Sequence, residues 1–334
     1  MQRFRTNLIH KIRNVEGNWV CSEEGIKQCI SSHFRNVYAS NRPQPVDIAR
    51  GIEHLRQVVD ASMREELLQP YTALEVSKTL SQMAPLKSPG PNDRIISPMQ
   101  SAFVPGRLIY DNILLAFELN HFLNTKTRGA QGWMALKLDI SKAYDKVEWS
   151  FLDQVMSKLG FPPPFIRLIM LCVSTISYFF MLGGKQFGSL VPDRGLRQGD
   201  PLSPYLFLLC TESFSALLQS AEREGKIRGV EVCRGAPPIS HLLFADDTLI
   251  FCQASQTNAQ AIGEVLELYR RASGQEINFL KSSVAFSRNT REDICSLITG
   301  ALTIRRENKM ELYLGLPSKA ARSKRELFFH YSGP

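Results

Sequence analysis

The chain has 334 residues, 44% of them apolar, with 40 Lys and Arg against 32 Asp and Glu. That length and composition suit one large or two medium globular domains and exclude a disordered tail, while the net charge of +8 favours nucleic acid as a polyanionic partner. Seven cysteines with no Cys-x-x-Cys pairing read as reduced, mostly buried thiols of an intracellular protein without a zinc site. Residues 1–20 lack the apolar stretch of a secretory signal. The longest apolar runs, near Phe165 to Cys172 and Tyr205 to Cys210, fall short of the roughly 20 residues a bilayer needs, so no membrane association is expected.

In chain order, Leu8, Ile9, Ile12, Val15, Trp19, Ile26, Ile30, Phe34, Val37 and Tyr38 recur at mostly helical intervals. They predict a helix, a turn at Glu16-Gly17-Asn18 and a second helix. A Pro-containing loop from Ser40 to Pro45 precedes a second helical pair, Ile48 to Val59 and Ala73 to Met83, and then the Pro/Gly-rich APLKSPGPNDR. Arg107 to Asn124 is again helical in period. WMALKLDI alternates as a strand ending at Asp139 and Ile140, and residues 141–160 resume the helical period up to Gly160. Pro162 to Pro164 introduce a helix through Val173, and YFFMLGGKQFGSLV reads as a hairpin turning at Gly183-Gly184. A core helix from Tyr205 ends at Gly225. HLLFADDTLIF is strand, tip, strand; an amphipathic helix ends at Gly274; QEINFLKSSVAFS is strand-like.

Acidic residues recur at strand ends: Asp139, and the adjacent pair Asp246-Asp247 at a hairpin tip. A tight hairpin turn prefers Asn-Gly or Asp-Gly, and neighbouring like charges repel, so a purely structural turn explains the pair poorly. Carboxylates from separate strands form a hard-oxygen site suited to Mg²⁺, and such a site can hold two ions about 4 Å apart for phosphoryl transfer. In RQGDPLSP, Gly199 allows close backbone approach to a nucleotide or template, Gln198 offers amide donors and Pro201 starts a helix; the alternative is an ordinary loop and cap.

LDISKAYDKVEW, RGLRQGDPLSPYLF, FADDTLIF, SGQEINFLKS and YLGLP occur in this order, with SAFVPGRLIYDNILLAFEL upstream. Together they resemble the reverse-transcriptase domain of non-LTR (LINE-type) retrotransposons, especially plant ones, over roughly Ile95 to Pro317. The resemblance implies an α+β fold: a polymerase right-hand palm of antiparallel sheet packed on helices, with partial fingers and the start of a thumb, plus a helical N-terminal region. The corresponding boundaries are 1–60 for the N-terminal region, 61–99 for a remnant of fingers, 100–300 for the palm with adjoining fingers, and 301–334 for the thumb.

By the same resemblance Asp139, Asp246 and Asp247 are catalytic and bind two Mg²⁺, Mn²⁺ substituting, with the Ile140 carbonyl added. Tyr144 stands where the family has an aromatic residue under the incoming sugar, and a core tyrosine is an equal alternative. Asp145 reads as a helix first-turn carboxylate rather than a ligand. Gln198 and Gly199 lie near nucleotide and template. Lys281 is either a donor to the departing pyrophosphate or a surface charge. Tyr313, Leu314 and Gly315 resemble the primer grip, or form a buried hairpin, and Arg107 is a candidate for template phosphate. RNA template, DNA primer and deoxynucleoside triphosphates are the implied partners, and a nuclear site of action is implied.

One joint departs from the family. Asn92-Asp93 runs almost directly into Arg94-Ile95-Ile96-Ser97, where the family has a sizeable finger region with cations for the triphosphate. Lys87 and Arg94 are the nearby substitutes. The absence of an endonuclease domain and the early end at HYSGP lead to the expectation that the chain does not retrotranspose autonomously. An inactive remnant that at most binds nucleic acid is therefore the alternative function.

Overall fold

The computed structural model describes residues 9–75, 77 and 95–308, together with the backbone of Leu312–Tyr313 and Leu316–Pro317. The joint with Lys87, Asn92 and Arg94, most of the helix expected at Ala73 to Met83, and Leu314 and Gly315 lie outside the described residues.

The N-terminal region departs from the expected helix pair. Residues on either side of the turn form a small hairpin, β1 (Ile12–Arg13) and β2 (Trp19–Val20), and only the second helix, α1 (Glu23–Tyr38), is present. The reason is local: Asn14 Oδ1 accepts from the Glu16 and Asn18 amides, closing a turn too tight for a helix to pass through. Helix α1 begins where Ser22 caps Gly25. Then come α2 (Pro45–Gly51), α3 (Ala61–Leu67) and α4 (Ile109–Thr125). Of the helix expected over Ile48 to Val59 only the start is present: α2 runs Pro45–Gly51, beginning at Pro45 because a proline suits the first helical position, and residues 52–59 are turn and irregular chain.

Strand β3 (Trp133–Leu138) is followed by the short β4 (Ile140–Ser141), then α5 (Trp149–Leu159) and α6 (Pro163–Ser174). Residues 142–146 are turn rather than helix, so α5 is shorter than its sequence period suggests. Gly160 ends it at φ 97°. The β5 (Tyr178–Leu182) and β6 (Lys185–Leu190) hairpin leads to the buried α7 (Ser203–Arg223). Next are β7 (His241–Phe244), β8 (Asp247–Gln253), α8 (Gln256–Ser273), β9 (Glu276–Ile277) and β10 (Ser283–Phe286). Helix α9 (Glu292–Leu302), β11 (Arg305–Arg306), β12 (Leu312–Tyr313) and β13 (Leu316–Pro317) complete the described elements.

The central sheet runs β11-β10-β3-β8-β7. All neighbours are antiparallel except β10 and β11. Alternation divides β3 between two cores: Met134, Leu136 and Leu138 face α5, α7 and α8, while Trp133 and Ala135 face α4 together with Leu249 and Phe251. Ile48, Ile52, Leu55 and Val59 belong to the first of these cores, so the segment around α2 is part of the same packing unit as the sheet. This is the α+β, sheet-on-helices architecture expected of a polymerase palm. Among the described residues no helix is long and apolar enough to cross a membrane. All seven cysteines are free, but only Cys210, Cys252 and Cys295 are buried; Cys21, Cys172 and Cys233 are exposed, against the expectation of mostly buried thiols.

Candidate catalytic site

Sheet register brings the expected carboxylates to one end of the sheet. In β3 and β8 the last pair is Leu138 with Thr248, and one further step sets Asp139 across from Asp247. In β7 and β8 the last pair is Phe244 with Asp247, leaving Ala245-Asp246 as a two-residue turn. Ala245 is at φ 53°. A non-glycine residue there costs about 1–2 kcal/mol, and a positive φ at the first turn position is one that glycine usually fills.

The strained turn is held from outside the hairpin. Buried Gln100 accepts through Oε1 from the Ala245 amide at 3.1 Å and the Ala102 amide at 3.0 Å. The Ser101 amide and the Asn112 side-chain amide donate to the Leu243 carbonyl at 3.2 and 2.9 Å. Asp139 is gripped through its peptide: its amide donates to Ser282 Oγ at 3.1 Å, and its carbonyl accepts from the Asn278 amide at 2.8 Å. Both carboxylate-bearing turns are thus fixed by residues 131–145 positions away in sequence.

Asp246 is exposed, and Asp139 and Asp247 are partly buried. Burial first, then Asp246 and Asp139, push the Asp247 carboxyl above its ordinary range; Lys137 pulls it down without offsetting them. Among the described residues no group of three His, Cys, Asp or Glu side chains is arranged as a ready metal cage. The donor chemistry is nevertheless that of a hard divalent cation, and the crowded charge on Asp247 is the kind such an ion relieves.

Tyr144 is half-buried and stacks on Phe207 with centroids 4.7 Å apart. Its phenol is pushed up to about 12 by burial and then by Asp246, so its hydroxyl end lies in the field of the turn while its ring packs on the core. Both readings of this tyrosine therefore have a physical counterpart. Its carbonyl accepts from Leu196 at 2.8 Å, and Gly195 donates to Val147 at 2.8 Å. Gly195 sits at φ 99°, and a Cβ there would lie 2.6 Å from the Asp145 carbonyl oxygen. The glycine that makes a close approach is Gly195. Gly199, also at positive φ, has open space around it.

Gln198 donates to Asp145 Oδ1 at 3.1 Å, as does the Tyr38 hydroxyl, also at 3.1 Å. Asp145 is buried outside any helix, so the first-turn expectation for it is corrected. Helix α7 starts at Ser203 with Pro204 in its first turn; Pro201 lies in the turn before it. Lys281 is exposed in the turn whose Asn278 and Ser282 hold Asp139. Ile140 pairs with Ile277, and Tyr313 pairs with Leu316 in a β12-β13 hairpin. Arg107 is not turned to solvent: its guanidinium donates to the carbonyls of Ile96, Ser97 and Gln100, which replaces its expected phosphate role.

Sequence reasoning missed a further cluster. Arg194 Nη1 meets Glu148 Oε1 at 3.1 Å, both side chains at most 4% exposed. Glu148 also accepts from the Asn41 amide at 2.8 Å and Ser40 Oγ at 2.6 Å, and Arg194 Nε donates to the Val37 carbonyl at 3.0 Å. The pair ties α1 to the palm. Nothing in a local pattern could have signalled partners 46 and 107 residues apart.

The family model described as "Reverse transcriptase (RNA-dependent DNA polymerase)" matches residues 67–317. An uncharacterized mitochondrial protein of Arabidopsis thaliana is 55% identical over 69 residues, which are 21% of this chain and 57% of that protein. The transposon TX1 uncharacterized 149 kDa protein of Xenopus laevis is 29% identical over 66% of this chain and 16% of its own length. A retrovirus-related Pol polyprotein from the type-1 retrotransposable element R2 of Popillia japonica is 27% identical over 53% of this chain and 24% of its own. The chain thus spans less than two thirds of each relative. A structure of telomerase from Candida tropicalis with a fragment of telomeric RNA is 11% identical at TM-score 0.46, covering 76% of this chain and 37% of that one.

Proposed function

The chain belongs to the reverse transcriptase (RNA-dependent DNA polymerase) family, and from that premise we propose that it is the polymerase domain of a non-LTR retrotransposon enzyme. It extends the 3′-hydroxyl of a DNA primer on an RNA template with deoxynucleoside triphosphates. The observation that carries the reading is the register that sets Asp139 across from Asp247, with Asp246 in the adjoining strained turn. Strain retained at such a turn fits a functional demand.

Asp139, Asp246, Asp247 and the Ile140 carbonyl are the groups that would hold Mg²⁺, Mn²⁺ substituting. Two such ions, when bound, would supply activation of the attacking hydroxyl and charge neutralisation at the leaving oxygen. The protein's share is positioning. Gln100 holds the tip, and Asn278 and Ser282 hold the Asp139 peptide, so the carboxylates need little reorganisation. Tyr144 bars a 2′-hydroxyl from the sugar site, Gln198 and Gly199 face nucleotide and template, and Lys281 is the cation nearest in sequence to the Asp139 clasp. Tyr313, Leu314 and Gly315 hold the primer end. In the same reading, residues 61–99 belong to the fingers, 100–300 to the palm and 301–334 to the thumb, behind an N-terminal region over 1–60, and the site of action is nuclear.

A second reading, a remnant that binds nucleic acid without catalysis, rests on the shortened joint where Asn92-Asp93 runs almost directly into Arg94-Ile95. Primer extension on poly(rA) with oligo(dT), dTTP and Mg²⁺ decides between them. Polymerase function predicts extension that Asp246→Ala abolishes. Equal product from both proteins, or salt-sensitive RNA binding with no product from either, overturns it.

A further inference from the structure

Away from the carboxylates, the β1-β2 hairpin leaves one of its faces open. Ile12 pairs with Val20 and Arg13 with Trp19, so consecutive pairs point to opposite sides. Ile12 and Val20 are half-buried, and Val20 packs on the first turn of α1, where a Cβ on Gly25 would lie 2.5 Å from its Cγ1. The other side carries Lys11, Arg13 and Trp19, all exposed.

Both cations close on the indole: Lys11 Nζ lies 4.4 Å and the Arg13 guanidinium carbon 4.8 Å from the ring centroid. An aromatic face attracts a cation without neutralising it. Among the described residues neither cation makes an ion pair; Glu16, in the same turn, accepts from the Asn18 side chain, and Glu23 pairs with Lys27. Residues 1–15 hold Arg3, Arg5, Lys11 and Arg13 and no Asp or Glu. Two like charges are thus gathered at one ring, where their repulsion is left for an outside anion to offset.

We propose that this face binds a single strand of nucleic acid, with Lys11 and Arg13 meeting phosphates and a base stacking on Trp19. The charge selects a polyanion, and the indole selects one that offers flat rings. An acidic peptide has the charge without the bases, and a duplex keeps its base faces stacked inside. Trp19 is 53% exposed beside the two cations, which leaves room for a base. Stacking accepts any base, so the contact is sequence-tolerant. The site is remote from the palm: Tyr38, at the opposite end of α1, joins Asp145, and the 16 residues of the helix span about 24 Å. Binding there does not depend on polymerase activity. RNA and DNA strands offer the same phosphates and base faces.

The test is titration of the full chain in EDTA, which denies the strand-end carboxylates a divalent ion, followed by tryptophan fluorescence. Trp133 is buried and Trp149 half-buried, so quenching that disappears in Trp19→Phe reports this face. Oligo(rU), oligo(dT), a blunt DNA duplex and polyglutamate are the probes. Saturable quenching by a single strand is expected. Trp19→Ala weakens that strand by about tenfold, read by anisotropy of a labelled oligonucleotide. Lys11→Gln and Arg13→Gln each lower the slope of log affinity against log salt by about 0.7, while circular dichroism shows the native fold. Tighter binding of oligo(rU) assigns the face to RNA, tighter binding of oligo(dT) assigns it to DNA, and equal binding assigns it to either strand. No quenching of Trp19, strand affinity unchanged in Trp19→Ala, an unchanged salt slope in both Gln variants, or duplex or polyglutamate matching the single strand overturns the proposal.

Discussion

Two groups of carboxylates in this molecule meet opposite fates. Glu148 is almost wholly buried and is matched by Arg194, the Asn41 amide and Ser40. Asp139, Asp246 and Asp247 crowd one end of the sheet, where Asp247 is raised by burial and by the other two, and Lys137 does not compensate. The same functional group is a structural tie where the fold supplies donors, and a candidate ligand site where it supplies more carboxylates. Compensation, not acidity, separates the two roles.

The largest way to break that contrast is at the strand ends. Asp139→Asn or Asp246→Asn should lower primer extension by about a thousandfold or more, while thermal unfolding without divalent ions stays at or above the wild-type midpoint because repulsion is removed. A parallel loss of fold would return these residues to the structural group. Next comes the buried pair: Arg194→Met leaves Glu148 charged and uncompensated and should cost about 3–5 kcal/mol in denaturant unfolding. Native-like stability in that variant would mean that Asn41 and Ser40 suffice.

A smaller effect follows from Glu212, whose folded value burial raises from 4.5 to about 7. The native state then binds the proton more tightly than the unfolded one. Stability from this group is fully present below pH 4.5 and is lost as pH rises through about 7. Glu212→Gln should therefore gain stability relative to wild type across that window, and a constant difference between the two unfolding profiles would refute the shift. Asp247 has the same sign, and Mg²⁺ should raise the wild-type unfolding midpoint but not that of Asp247→Asn. The smallest change is Ala245→Gly, which relieves the positive φ and should stabilise by about 1 kcal/mol or less, since glycine's greater unfolded-state entropy offsets part of the gain. If extension falls although stability rises, the strain positions Asp246.

Much of this was legible in residue order. Asp246-Asp247 lies between two short, strongly apolar runs that read as strands, and the helical periods of α4, α7 and α8 are strong enough to survive into the structure. The first helix expected near Leu8 to Val15 failed because spacing counts apolar positions and does not see Asn14 closing a turn on its own backbone. Arg107 and Asp145 failed for another reason. Arg107 was expected to meet phosphate and Asp145 to sit in a helix first turn, whereas the fold surrounds one with three carbonyls and the other with Tyr38 and Gln198.

The sequence by itself determined most strands and helices from β3 to β10, where carboxylates terminate strands, and which family the motifs resemble, because periodicity and turn chemistry act over a few residues. Only the tertiary structure decided that Gln100 steadies the Ala245 turn, that Asn278 and Ser282 hold Asp139, that Gly195 rather than Gly199 permits the close approach, and that Glu212 is buried. Those outcomes depend on desolvation and on donors brought from distant parts of the chain. A buried charge is paired or left wanting by what the fold carries to it, and no local pattern contains that information.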